Sequence, residues 1–147
     1  MKKKLQFLSF LVILLVSPGL RMDAQTTDWQ PIYLTAGGGN LIDGLEASFK
    51  STSCNESDVI YIKFINHNAY PVKLEWFDAV FTQELIWIKK DQVSDKRLLT
   101  IPANSKLEGN CSNNTHSELS VNVKNFVSDK KSFKRYSTNN LTVTAVQ

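Results

Sequence analysis

From Trp29 onward the chain is a succession of short apolar runs, separated by polar or glycine-containing breaks and recurring about every ten residues. The runs are rich in Val, Ile, Phe, Tyr, Trp and Thr, side chains that suit a pleated, half-buried surface. Residues 41–51 alternate Leu45, Ala47 and Phe49 against Glu46, Ser48 and Lys50, the period of a strand with one buried face. Residues 58–66 are apolar on both faces except for Lys63, which predicts a central strand. A turn over 66–71 leads into 72–77, with Val72, Leu74 and Trp76 inward and Lys73 and Glu75 outward. Residues 29–35 read as a first strand that Pro31 confines to an edge or a strand start. The glycines of 36–40 then permit a turn.

Residues 78–90 fit two patterns. Phe77, Val80, Phe81, Leu85 and Ile88 lie at helical spacing, but β-branched and aromatic content favours a hairpin around Thr82, Gln83 and Glu84. Residues 97–102 predict a strand, and the following loop leaves room for a short edge strand. Residues 118–127 alternate through Leu119, Val121 and Val123, and 132–137 with 140–146 predict a closing hairpin. Eight to nine strands in about 120 residues predict an all-β fold, two antiparallel sheets face to face with Greek-key connections.

The N-terminal end follows a different rule. Lys2, Lys3 and Lys4 precede a mostly apolar run from Leu5 to Val16, which Ser17, Pro18 and Gly19 interrupt. That order reads as a secretory signal peptide over residues 1–24, cleaved after Ala24, with Gly19 as the rival site. The run is shorter than the ~18 apolar residues a membrane span needs, so no stable membrane insertion is expected after cleavage. Residues 25–147 are then a single domain. The whole chain carries +3, with 17 Lys and Arg against 14 Asp and Glu. Removing Lys2, Lys3, Lys4, Arg21 and Asp23 balances the two signs. A neutral domain lacks the cationic surplus that displaces phosphate counterions, which argues against nucleic acid as a partner.

Cys54 and Cys111 are the two cysteines. An even count in an exported chain reads first as a disulfide. The alternative, a zinc set of Cys54, His67, Cys111 and His116, lacks the closely spaced ligand pairs of structural zinc sites. A thiolate nucleophile would be oxidised in that compartment. A serine triad has only His67 and His116 as bases, both in Asn-rich turns, and no G-x-S-x-G elbow. Glu75, Asp78, Glu84 and Asp91 show no spacing that selects an acid pair. No cofactor or metal is expected.

The runs "VIYIKFINHNAYPVKLEW" and "LTIPANSKLEGNC", over roughly residues 58–111, resemble immunoglobulin-like and fibronectin-like modules of small secreted bacterial proteins. The resemblance implies an immunoglobulin-like sandwich and an exported location, and no chemistry. One departure stands out. Immunoglobulin domains set their cysteines mid-strand against a Trp, whereas Cys54 and Cys111 lie in polar surroundings. Their disulfide is therefore expected at a rim, with Trp76 packed elsewhere.

Among the aromatics, Trp76 and Tyr61 read as core, and Trp29 and Tyr70 as exposed. The candidate ligand-contact residues are Trp29, Tyr70, His67, His116 and Trp87. Basic clusters over 89–97 and 129–135 fall at turns, and Asn55, Asn113 and Asn140 each open an N-x-S/T sequence. The expected function is a non-catalytic binding or assembly module that is secreted or periplasmic, in a Gram-negative bacterium. Its partner at the cell envelope would be a protein, met through loops or a sheet edge. A glycan held by exposed aromatics is the alternative, and an enzyme is the least supported class.

Overall fold

The computed structural model describes residues 28–34, 37–112 and 115–146. The leader, its cleavage junction and Asn113 lie outside the described residues. Among the described residues ten strands form two antiparallel sheets, in accord with the expected β-sandwich. Sheet A holds β1 (Gln30–Pro31), β2 (Leu41–Ile42), β3 (Leu45–Cys54), β4 (Ser57–Asn66), β8 (Ser105–Glu108) and β9 (Ser120–Asn122). Sheet B holds β5 (Val72–Thr82), β6 (Trp87–Lys89), β7 (Arg97–Ile101) and β10 (Phe133–Ala145). In sheet A, β3 and β4 are central, with β1 and β2 on one side and β8 and β9 on the other. In sheet B, β5 is central, flanked by β10 on one side and by β6 and β7 on the other. The chain changes sheets after β4, β7 and β9, so non-consecutive strands become neighbours.

Several expected boundaries are corrected. The strand expected over 41–51 is two strands, because Asp43 and Gly44 both take positive φ, 48° and 71°, and close a tight hairpin. Gly44 is also required sterically, since a Cβ there would meet the Asn68 side chain. The first strand, expected over 29–35, has only Gln30 and Pro31 in the ladder, at the edge where Pro31 is tolerated. The strand expected over 72–77 runs on to Thr82, and only then does a turn with Leu85 at φ 64° reverse the chain into β6. The helical alternative for 78–90 is absent. Of 118–127 only β9 is a strand; the Asn122 side chain accepts the Lys124 N–H at 2.9 Å and tightens the backbone into a 3-10 turn.

The expected closing hairpin is instead the single strand β10. Asn139 pairs with Phe77 and Thr142 with Glu75, so Asn140 and Leu141 together oppose Trp76. The Asn-Asn signal, with Asn140 at φ 52°, makes a bulge rather than a reversal.

The core lies between the sheets. Phe64 of β4 meets Trp76 of β5 edge-on at 5.3 Å, and Phe49 of β3 meets Tyr136 of β10 at 6.1 Å. Tyr61 is buried, as expected, but not between the sheets. It pairs with Lys50, so it shares the outer face of sheet A rather than the core. Desolvation raises its phenol pKa above the usual value.

A polar chain crosses this core. Trp76 Nε1 donates to Tyr136 Oη at 3.2 Å, Tyr136 Oη donates to Asp78 Oδ1 at 2.6 Å, and Arg97 Nε donates to Asp78 Oδ2 at 2.7 Å. Arg97 Nη1 then crosses to sheet A, donating to the carbonyls of Glu118 at 2.7 Å and Ser120 at 3.2 Å. Burial, and then the Asp78 charge, hold the Tyr136 phenol well above its ordinary pKa. Truncating one member strands its partners in low dielectric, where the loss is large. Tyr136→Phe is expected to lower unfolding stability by about 1–3 kcal/mol, and Asp78→Ala by about 3–5 kcal/mol. Urea denaturation checks both. Because the folded state holds the Tyr136 proton more tightly, its contribution is intact below pH 10.0 and is lost as pH rises through the folded value. The Tyr136→Phe protein should therefore lose stability less steeply than wild type above that pH.

Candidate functional site

Cys54 and Cys111 form the disulfide, with Cα atoms 5.7 Å apart. Cys54 shares its face of β3 with Lys50 and Thr52, the outer face, because side chains alternate along a strand. The bridge therefore holds the segment after β8 against the outer face of sheet A, where Tyr61 and Val59 are buried. Gly109 begins this segment, its N–H bonded to the Ile62 carbonyl, and a Cβ there would collide with the Leu119 carbonyl. His116 lies at the far end of the same segment and opens a 3-10 turn. The expected rim location is correct, and Trp76 packs apart from it.

His67 and Tyr70 lie at the opposite end. They follow Asn66, and Cys54 pairs with Ser57, so the ten residues of β4 separate them from the disulfide by roughly 30 Å. The four residues of the zinc alternative do not converge. His67 Nε2 instead lies 3.2 Å from Glu46 Oε2, and Tyr70 is exposed while its carbonyl accepts from Asn66 Nδ2. Trp29 is half-buried rather than exposed. Lys50 Nζ and Lys63 Nζ stand 4.7 and 4.5 Å from its ring centroid on the outer face of sheet A.

The carboxylates are engaged separately. Glu75 contacts Lys73 at 2.9 Å and Lys96 at 3.2 Å, and these hydrogen bonds lower its pKa. Asp78 belongs to the buried chain already described. Asp58 meets Lys130 at 2.9 Å, and that hydrogen bond lowers its pKa despite opposing desolvation. The basic cluster at 89–97 thus supplies Lys96 and Arg97 to ion pairs. The cluster at 129–135 gives up Lys130 in the same way, but not Lys134 or Arg135.

Trp87 is the candidate that the fold builds into a group. Register places Arg135, Phe81 and Trp87 side by side across β10, β5 and β6 on the outer face of sheet B. The Phe81 and Trp87 rings lie 4.9 Å apart, tilted by 40°. Phe133 pairs with Thr82 and Arg135 with Phe81, so Lys134 is an inserted residue; the bulge re-aims it, and its Nζ stands 5.5 Å from the Phe81 centroid. The Arg135 guanidinium carbon stands over the Tyr33 ring, 4.8 Å from its centroid. Gln30, Pro31, Tyr33, Phe81, Lys134 and Arg135 enclose a cleft of about 400 Å³. The sequence reading missed Tyr33, Phe81 and Arg135 as a group, because only the strand register brings them together.

Beside this cleft runs the free edge of β10. β10 has thirteen residues and pairs with β5 alone. The hydrogen bonds from Thr82 N–H to the Ile86 carbonyl and from Lys90 N–H to the Asp78 carbonyl turn even-numbered β5 residues toward β6. Odd-numbered ones therefore face β10, as the bond from Val146 N–H to the Pro71 carbonyl shows at the other end. It follows that Tyr136 and Thr138, and beyond the bulge Val143 and Ala145, direct their main-chain groups outward. Among the described residues no main-chain partner meets them.

Comparison with protein-family models, curated proteins and solved structures finds no match.

The disulfide closes a separation of 57 residues, for which chain entropy allows up to about 4 kcal/mol. Replacing Cys54 and Cys111 together by Ser should lower the urea midpoint and speed hydrogen exchange around Tyr61, while the β5–β10 amides keep their protection. Unchanged exchange near Tyr61 would show that the bridge does not hold this cover.

Proposed function

We propose that the protein is an exported, non-catalytic binding module that recognises a protein partner by strand addition along β10. The supporting observation is the thirteen-residue edge strand with outward main-chain groups at Tyr136, Thr138, Val143 and Ala145. An extended partner segment satisfies these groups with ladder hydrogen bonds, and its alternate side chains meet the two faces of sheet B. The stretch Leu141–Val146 carries no charge and is β-prone, so it offers little resistance to a neighbouring strand. Carbohydrate binding is the second reading, favoured by Tyr33 and Trp87, which are 44% and 43% exposed beside Phe81. The Cys54–Cys111 disulfide supports an oxidising compartment, secreted or periplasmic.

Thr138→Pro and Ala145→Pro test the two halves of the edge without removing a ladder bond, since both N–H groups point outward and proline is tolerated at such a position. A partner crosslinked from native envelope or medium should be lost with Thr138→Pro or with Ala145→Pro and kept with Tyr70→Ala. Loss with Trp87→Ala alone, together with wild-type binding on a glycan array, would transfer the function to the aromatics. N-terminal sequencing of the exported protein should begin at Gln25; a chain that retains Met1 would contradict export.

A further inference from the structure

Lys134 and Arg135 differ from Lys96, Arg97 and Lys130, the turn cations that are held in ion pairs. Among the described residues neither has a carboxylate within ion-pair distance; each stands against an aromatic ring instead. With its guanidinium carbon 4.8 Å from the Tyr33 ring centroid and no carboxylate partner, Arg135 keeps N–H donors for a planar two-oxygen acceptor. Lys134 adds a second positive charge on the same ring system, and Tyr33 and Phe81 supply apolar walls. Among the described residues no acidic side chain lines the cleft.

The cleft and the free edge are adjacent in sequence, because Arg135 precedes Tyr136, the first outward-facing residue of β10. A strand added there would lie about 4.8 Å beyond β10. Its residue opposite Arg135 would present its side chain on the same face of sheet B as Arg135. We propose that this cleft receives the side-chain carboxylate of an acidic residue on the partner strand, with Arg135 as its bidentate donor and Lys134 as supporting charge. This rests on the strand-addition reading and deepens it. The edge supplies affinity for any extended chain, and the cleft selects an acidic one. An acidic saccharide shares the carboxylate, but the 40° tilt between Phe81 and Trp87 does not make a flat platform for a sugar ring.

The test is peptide display from a random dodecapeptide library against the disulfide-bonded exported protein, with oligogalacturonate as the saccharide arm. Selected peptides should carry Asp or Glu at a fixed offset from a β-branched run, and should slow hydrogen exchange at the Tyr136 and Thr138 amides. Arg135→Gln should weaken the best peptide by about tenfold or more. Changing the peptide's acid to its amide should weaken wild-type binding to a similar extent, and the two changes together should cost little more than one. Peptides that protect those amides with no acidic preference and no response to Arg135→Gln would overturn the cleft inference and leave strand addition standing. If only oligogalacturonate binds, and shifts the Arg135 Nε–H resonance, both readings fail in favour of an acidic saccharide. If neither ligand binds, both readings are overturned.

Discussion

The sandwich depends on one arrangement of buried polar groups, the chain from Trp76 through Tyr136 and Asp78 to Arg97. Arg97 lies on β7 in sheet B, yet its guanidinium is satisfied by the carbonyls that lead into β9 in sheet A. Apolar packing alone would hold the sheets together without specifying how they slide over one another. The directional bonds from Arg97 specify it, because a shift of either sheet would strand a charge in low dielectric. The same chain fixes β10, since Tyr136 enters the core only when β10 is in its observed register with β5. The free edge and the cleft beside it are therefore placed by interactions made on the opposite side of the same strand.

Much of this fold was legible in local patterning. The central strand β4, the inward set Val72, Leu74 and Trp76, the edge strand at 105–108 and the rim disulfide all follow from alternation, breakers and compartment. Two of the failures share one cause. Asp43-Gly44 and Asn139-Asn140 both offer positive φ, and the first closed a hairpin where a strand was expected, while the second made a bulge where a hairpin was expected. A residue that tolerates left-handed backbone permits a reversal but does not command one. Whether the chain turns is decided by the strand waiting alongside, and β5 is long enough to pair with β10 on both sides of Asn140.

The candidate site was less legible for a related reason. Trp87 stands out in the sequence as a residue type, but the residues that give it context, Phe81 and Arg135, are neighbours only across strands. Tyr61 shows the same limit from the other direction. Its alternation with Ile60 and Ile62 does not reveal which face of the sheet it occupies, and the disulfide-held segment buries a face that would otherwise be wet. Trp29 and His116 lie apart from each other and from His67 and Tyr70, which share one end of the sandwich. Sequence identified chemistry one residue at a time, and the site is a property of register.

The bulge at Asn140 and Leu141 also governs how the protein meets copies of itself. By inserting one residue it exchanges the parity of the outward main-chain groups, from even at Tyr136 and Thr138 to odd at Val143 and Ala145. A second molecule stacking edge to edge would have to reproduce that phase slip at the same place, and then pass it on to a third. Fibrillar growth requires one uninterrupted register repeated from layer to layer. The long edge is thus divided into two short phases, each able to hold a short segment but neither able to template an indefinite array.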